Sequence, residues 1–396
     1  MNTPSVLFID VYSLKMLKAR LPELDVYSEN VKSLDFISSS LSTCVTFDIS
    51  CRTYIPLPPM QFTRHHLKLS VKEASLQPLM LESGFLSFGS CLLAERNPAN
   101  EHLPSFSLLQ RRSLPGLRLP WWPWKPHSWR HVPGSRRSKR PPRFFNAAAH
   151  LLSSFNNPNW YHWLGLPGLG SLPINKNIES IIISDRNLFM NNNTPTPLLQ
   201  RVATLAKAVQ PHSKLLFEGG PFFIKELHAC FIEHHTPLAC DASGLQHLRL
   251  ESASIATSAC KISTTNKLYL RRGPLARRPL HGEEYLERAL LQRGFDVLDA
   301  AVLQLPECIA TFAKADWVVA PHGAALTNIV FSRPGTKVVE LLPGPLENYG
   351  HYSLMASALG LMHSYLIGRN LHEGEFEVDQ NLLLGWLDTE LLAAMK

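Results

Sequence analysis

Between Lys314 and Leu342 the chain reads KADWVVAPHGAALTNIVFSRPGTKVVELL, and this stretch constrains the fold more than any other. Trp317 to Ala320 is a short, valine-rich apolar run, suited to a buried parallel strand. Pro321-His322-Gly323 breaks it. Gly323-Ala324-Ala325 then opens a helix whose small residues let a ligand approach the backbone. Unpaired N–H groups at such a helix start attract phosphate. Val338-Val339 is a second buried strand, with Glu340 at its C-terminal end. Ligands of open α/β sheets bind at the carboxyl ends of strands. One segment thus offers a phosphate cradle, a histidine and a carboxylate at one sheet edge. A strand–turn–helix with small residues is also common, and His322 alone fits a satisfied turn histidine equally well.

The same texture extends upstream. Lys267-Leu268-Tyr269-Leu270 predicts a strand ending at Arg271-Arg272. Glu283 to Arg293 predicts a helix closed by Gly294, Phe295 to Leu298 a strand, and Leu305 to Ala315 a helix. Strands spaced by helices of that length mean a parallel sheet. The N-terminal half is less regular. Val6–Ile9, Cys44–Phe47, Leu79–Leu81, Ser180–Ser184, Leu215–Phe217 and Phe222–Ile224 read as strands, and Pro197–Val209 as an amphipathic helix. Residues 104–143 carry too many prolines for a regular element and read as a long loop. The texture changes near 241–262, which predicts two domains, 1–240 and 241–396.

The net charge of +7 is concentrated. No acidic residue lies between Glu101 and Glu179, while Arg111, Arg112, Arg118, Lys125, Arg130, Arg136, Arg137, Lys139, Arg140 and Arg143 fall in that gap. Four tryptophans, at 121, 122, 124 and 129, are interleaved with them. Tryptophan at headgroup depth with arginine facing anionic lipid is the composition of an interfacial anchor. Residues 111–143 are therefore expected to make a peripheral contact with an anionic membrane or an acidic glycan. The competing reading is a packed or disordered insertion with no partner. Nucleic acid is excluded as a partner, since no binding fold accompanies the charge. Seven scattered cysteines without CxxC spacing imply neither disulfide nor zinc. No basic start with an apolar core opens the chain and no window reaches membrane-spanning length, so a cytoplasmic setting is expected, at the inner face of a membrane if the basic loop docks there.

Three blocks resemble glycosyltransferase family 61, which includes bacterial capsular-polysaccharide proteins and plant and animal xylosyl-, arabinosyl- and N-acetylglucosaminyltransferases. The first is Tyr161-His162-Trp163-Leu164. The second is Leu268-Tyr269-Leu270-Arg271-Arg272, then Arg277-Arg278 and Glu283-Glu284. The third runs from Ala315-Asp316 through Pro321–Asn328, Pro334-Gly335-Thr336 and Glu340-Leu341. The resemblance covers about residues 140–370. It implies an α/β fold of the GT-B type, with two facing Rossmann-like domains and parallel sheets. Residues 1–240 would take the acceptor and 241–396 the nucleotide sugar. It also implies inverting, metal-independent hexosyl or pentosyl transfer in capsule or lipopolysaccharide assembly, with no cofactor beyond the nucleotide-sugar co-substrate.

Without a metal, cations and helix starts must stabilise the departing diphosphate. Arg272 is the first choice, because its fork binds two phosphate oxygens. Arg271 is its neighbour, which strand alternation points the other way. His322, the backbone at Gly323, Ala324 and Ala325, and the side chains of Thr327 and Asn328 are further donor contacts. Glu340 is placed to hold the ribose hydroxyls, while Arg277 and Arg278 read as surface residues. A base must take the acceptor proton. His162 is either that base, between sugar-walling Tyr161 and Trp163, or a structural histidine in an aromatic core. Many relatives carry a carboxylate a few residues after the His-Trp pair. Here Gly165-Leu166-Pro167-Gly168-Leu169-Gly170 has none, and Asp185 is the candidate replacement. Cys308 and Gly282 stand where relatives usually have Gln and Asn. The alternatives are a catalytically silent member that binds nucleotide or glycan, and a dinucleotide-dependent oxidoreductase, which lacks any GxGxxG after a strand.

Overall fold

The computed structural model describes residues 6–10, 24–32, 45–56, 61–70, 79–82, 90–94, 105–107, 143–152, 160–164, 168–172, 178–183, 194–217, 222–232, 242–258, 265–273, 276, 278–344 and 350–394. They form two compact units, one of residues 1–31 and 61–239, the other of 32–60 and 240–396.

In the first unit, β9 (Arg143–Leu152), β10 (Ser180–Ile183), β11 (Lys214–Phe217) and β12 (Phe222–Ile232) run parallel in the order β11-β10-β9-β12. All four residues of β10 are buried, as an unbroken apolar run in a parallel sheet should be. The sheet is mixed rather than wholly parallel. β5 (Gln61–Ser70) and β6 (Leu79–Glu82) join β12 antiparallel, and β2 (Leu24–Lys32) lies beyond β5. β8 (Ser105–Ser107), inside the stretch expected to be loop, pairs parallel with β6, and β1 (Val6–Asp10) pairs with β7 (Ser90–Ala94). Residues 108–142, with all four tryptophans of the basic stretch, lie outside the described residues. Helix α1 (Trp160–Leu164) carries the aromatic cluster. Helix α2 (Pro197–Val209) starts where its sequence says it should: Thr196 Oγ1 accepts from Leu199 N at 3.3 Å, with proline in the first turn.

The second unit is a seven-stranded sheet, parallel except at one edge, in the order β14-β13-β15-β16-β17-β3-β4. Its strands are β3 (Val45–Asp48), β4 (Thr53–Pro56), β13 (Lys267–Leu270), β14 (Asp296–Leu298), β15 (Trp317–Pro321), β16 (Lys337–Leu342) and β17 (Met362–Ile367). A minor ribbon pairs β18 (Arg369–Asn370) with β19 (Phe376–Glu377). Residues 45–56, expected in the first domain, belong here. β3 continues the sheet by parallel pairing with β17, and β4 folds back as an exposed edge ending in proline.

Helices cover both faces: α3 (Ala242–Ser252), α4 (Glu283–Leu291), α5 (Leu305–Lys314), α6 (His351–Leu359) and α7 (Gln380–Ala393). Leu286 and Leu290 of α4 and Leu383 and Leu387 of α7 pack with Tyr269, Val319, Val339 and Leu366 in one apolar cluster. Each fully buried leucine there contributes roughly 1.5–3 kcal/mol. Alternation sends the intervening strand residues, Leu268, Val318, Val338 and His363 among them, to the opposite face. The start of α4 is set by Gly282 at φ +69, a left-handed position that glycine adopts without strain. Cys308, on α5, is fully buried. Among the described residues no helix is long and apolar enough to cross a membrane.

The order of crossovers places a topological switch point between β13 and β15. From β13 the chain goes out to β14, then returns to the other side of β13 as β15. Connections leave β13 and β15 in opposite directions, and α/β sheets bind ligands at the carboxyl ends of strands at such a point.

Candidate functional site

Arg271 and Arg272 follow β13, and His322 and Gly323 follow β15. Tyr269 pairs with Val319, so Arg272 and His322 stand three residues past the same rung. Arg271 is exposed and its Nε meets Glu287 of α4 at 3.2 Å. Arg272 turns inward, and its Nη1 donates to the main-chain carbonyl of His322. Its Nε is buried with no hydrogen-bond partner, and among the described residues no carboxylate forms an ion pair with the guanidinium. Burial first, then the neighbouring Arg278, lower its pKa to about 10, still charged at neutral pH. A half-buried cation with unused donor capacity calls for an anion. Arg278, half-buried and close enough to act on Arg272, is no surface bystander as its sequence context suggested.

Glu283 fixes this turn, a role the sequence reading missed. Its Oε1 accepts from Tyr269 Oη at 2.8 Å and Arg272 N at 2.7 Å, and its Oε2 from Gly273 N at 2.8 Å. The signal was available: a carboxylate in the first turn of a helix, five positions past Arg278 in the arginine cluster. Burial, then Glu283, pushes the Tyr269 phenol well up, so it stays a donor.

The opposite wall is the Pro321–Ala325 turn. A β-carbon at Gly323 would lie 2.5 Å from Arg272 Nη1, so only glycine lets the guanidinium lie against the backbone. The expected α-helix start is instead a 3-10 helix, Ala324–Phe331, with Leu326 N already bonded to Gly323 O at 3.0 Å. Tighter winding satisfies its first donors sooner. Ala324 and Ala325 are half-buried. Thr327 and Asn328, expected to reach a phosphate, are buried and serve the turn: Asn328 Nδ2 donates to Ala325 O at 2.8 Å, and Thr327 Oγ1 lies 3.3 Å from Tyr352 Oη. Tyr352, on α6 and not anticipated, donates to Gly323 O at 2.6 Å and sets its ring edge-on against His322, centroids 5.3 Å apart.

His322 and Glu340 form a tight pair, Nδ1 to Oε1 at 2.5 Å. Glu340 was expected at a strand end, open to ribose hydroxyls. It lies inside β16, 2% exposed, and its Oε2 meets His363 Nε2 on β17 at 3.1 Å. With both oxygens engaged by imidazoles, it holds histidine and not ribose. Burial by itself would raise the Glu340 carboxyl, but hydrogen bonds from His322 and His363 outweigh it and hold the group at about 2.

A family model described as Glycosyltransferase 61 matches residues 100–339. The chain belongs to glycosyltransferase family 61. No curated protein matches it. Membership supports a glycosyl-transfer role and, in general, a nucleotide-sugar donor and a glycan acceptor. The second and third motif blocks of this family 61 chain meet at the carboxyl ends of β13 and β15. The residues expected from the sequence to face an acceptor lie in the other unit. Trp163 is fully buried and Tyr161 is 5% exposed, so neither offers a sugar an open aromatic face. His162 sits on α1 with its side chain outside the described residues, as is Asp185 entirely.

Proposed function

We propose that this family 61 protein is an inverting, metal-independent glycosyltransferase of the GT-B class. Its donor is a nucleotide sugar, and its acceptor a glycan or lipid-linked saccharide of surface-polysaccharide assembly. The observation that carries the reading is the half-buried Arg272 guanidinium, charged, short of partners and set at the sheet's switch point beside His322 and Gly323. In the reaction the acceptor hydroxyl oxygen attacks the anomeric carbon as the bond to the diphosphate oxygen breaks. The electron pair leaves on the diphosphate, where Arg272, His322 and the Gly323 turn receive its charge. The acceptor proton passes to a base, His162 or Asp185.

The protein would work in the cytoplasm, with residues 111–143 resting on the inner face of an anionic membrane, near lipid-linked acceptors. A second reading keeps nucleotide binding without turnover. It is favoured by Gly165–Gly170, which lacks the carboxylate common among relatives. Assay of wild type and His162→Ala against a panel of nucleotide sugars separates the two. Transfer by wild type that His162→Ala abolishes supports the first. Diphosphate binding without transfer supports the second.

A further inference from the structure

The turn after β15 is held from two sides. Arg272 Nη1 donates to the carbonyl of His322. Tyr352 Oη, on α6, donates to the carbonyl of Gly323 at 2.6 Å. These carbonyls are consecutive, and Gly323 between them is extended, at φ 165 and ψ 177. In an extended residue the carbonyl before it and the N–H after it point to one side of the chain, and its own N–H and carbonyl to the other. The His322 carbonyl faces Arg272, so the Ala324 N–H is turned to the side of the guanidinium. The N–H and carbonyl of Gly323 face the side of Tyr352. With no side chain at Gly323, the guanidinium has room to lie against this peptide.

Ala324 opens the 3-10 helix, two residues ahead of Leu326, whose N–H bonds back to Gly323 O. It is thus among the donors that a helix leaves without an intrahelical partner. N–H and C=O of one planar peptide point in opposite directions, so the Gly323 carbonyl sets where the Ala324 N–H aims. That carbonyl accepts from Leu326 N at 3.0 Å and from Tyr352 Oη. Tyr352 is 3% exposed, and its one hydroxyl proton goes to the carbonyl. Thr327 Oγ1, 3.3 Å from the phenol oxygen, is then the donor to it. A chain of donors runs from Thr327 through Tyr352 into the Gly323–Ala324 peptide, polarises it and strengthens the N–H at its far end.

We infer that the Ala324 main-chain N–H and the Arg272 guanidinium bind one phosphate group of the donor together, with Tyr352 as a positioning residue that aims this N–H through the Gly323 carbonyl. This rests on the donor-site reading above and narrows it. Of the N–H groups of Gly323 and Ala324, only the second shares a side with Arg272.

Proline at 324 isolates the N–H. The first position of a helix favours proline, and extended Gly323 suits a residue that precedes one. Ala324→Pro should therefore fold with little change in Tm, and should bind uridine diphosphate about tenfold or more weakly in calorimetry on the full chain. Tyr352→Phe keeps the ring beside His322 but loses the hydroxyl, and should weaken binding by roughly three- to tenfold. It also deprives Thr327 of its partner, so a double-mutant cycle on affinity separates aim from general loosening. Tyr352→Phe should add almost nothing to Ala324→Pro, because both act through one N–H; loosening would weaken binding in either background. Wild-type affinity in Ala324→Pro overturns the inference, whether or not Tyr352→Phe folds, and so do additive losses in the cycle. Both results leave the donor-site reading standing. No binding of uridine, guanosine or cytidine diphosphate to wild type overturns both.

Discussion

Arg272 and His322 end adjacent parallel strands, and the guanidinium of the first donates to the main-chain carbonyl of the second. This bond joins the carboxyl ends of β13 and β15. It leaves Nε of Arg272 buried and unsatisfied, and so couples the strand ends while keeping donor capacity for an anion.

Replacing Arg272 by alanine should weaken nucleoside-diphosphate binding by about 10–100-fold, the loss of one or two charge-assisted hydrogen bonds at roughly 1.5–3 kcal/mol. Arg272→Lys should recover only part, because ammonium lacks the planar fork. Thermal stability should change little, since the guanidinium is short of partners in the free protein. Kd by calorimetry and Tm by scanning calorimetry read the two separately.

Gly323→Ala should reproduce much of the Arg272→Ala defect. Its φ of 165° is extended backbone, so alanine brings no conformational strain there; the cost is the collision of its β-carbon with Arg272 Nη1. In a double-mutant cycle on diphosphate affinity, Gly323→Ala should therefore add almost nothing to Arg272→Ala. Additive losses would mean the glycine serves something other than the guanidinium.

Glu283→Ala should destabilise the C-terminal unit by about 2–4 kcal/mol, because it strands the Tyr269 hydroxyl and the N–H groups of Arg272 and Gly273. Denaturant unfolding followed by Trp fluorescence measures it. Glu283→Gln, which keeps one acceptor, should lose less.

Glu340 gives a pH signature. Its carboxyl is held at about 2 against an ordinary value of 4.5. A depressed folded-state value stabilises the native state fully above about pH 4.5, and that contribution is lost as pH falls toward about 2. Unfolding midpoints measured across this window should fall more steeply for wild type than for Glu340→Gln. Parallel curves would remove the carboxylate from the acid transition.

Serine at Trp121, Trp122 and Trp124 together should cut partitioning onto vesicles containing anionic phosphatidylserine by about tenfold or more, with diphosphate affinity unchanged. Sedimentation with the vesicles gives the partition coefficient; an unchanged value would leave the basic stretch without a lipid partner.

The sequence by itself determined what is local. Apolar runs, capping residues and turn glycines between Lys267 and Leu342 dictate strands and helices within a few neighbours, and strand ends placed Arg272 and His322 at the sheet's carboxyl edge. Tertiary structure alone decided what depends on register between distant segments. Thr46 and His363 are 317 positions apart and meet only because β3 adds to β17. Glu340 became a buried partner of two histidines because β16 runs on past it between β15 and β17. No local pattern encodes such contacts: parallel pairing fixes side-chain faces by which strands adjoin, and that is settled by packing the whole sheet.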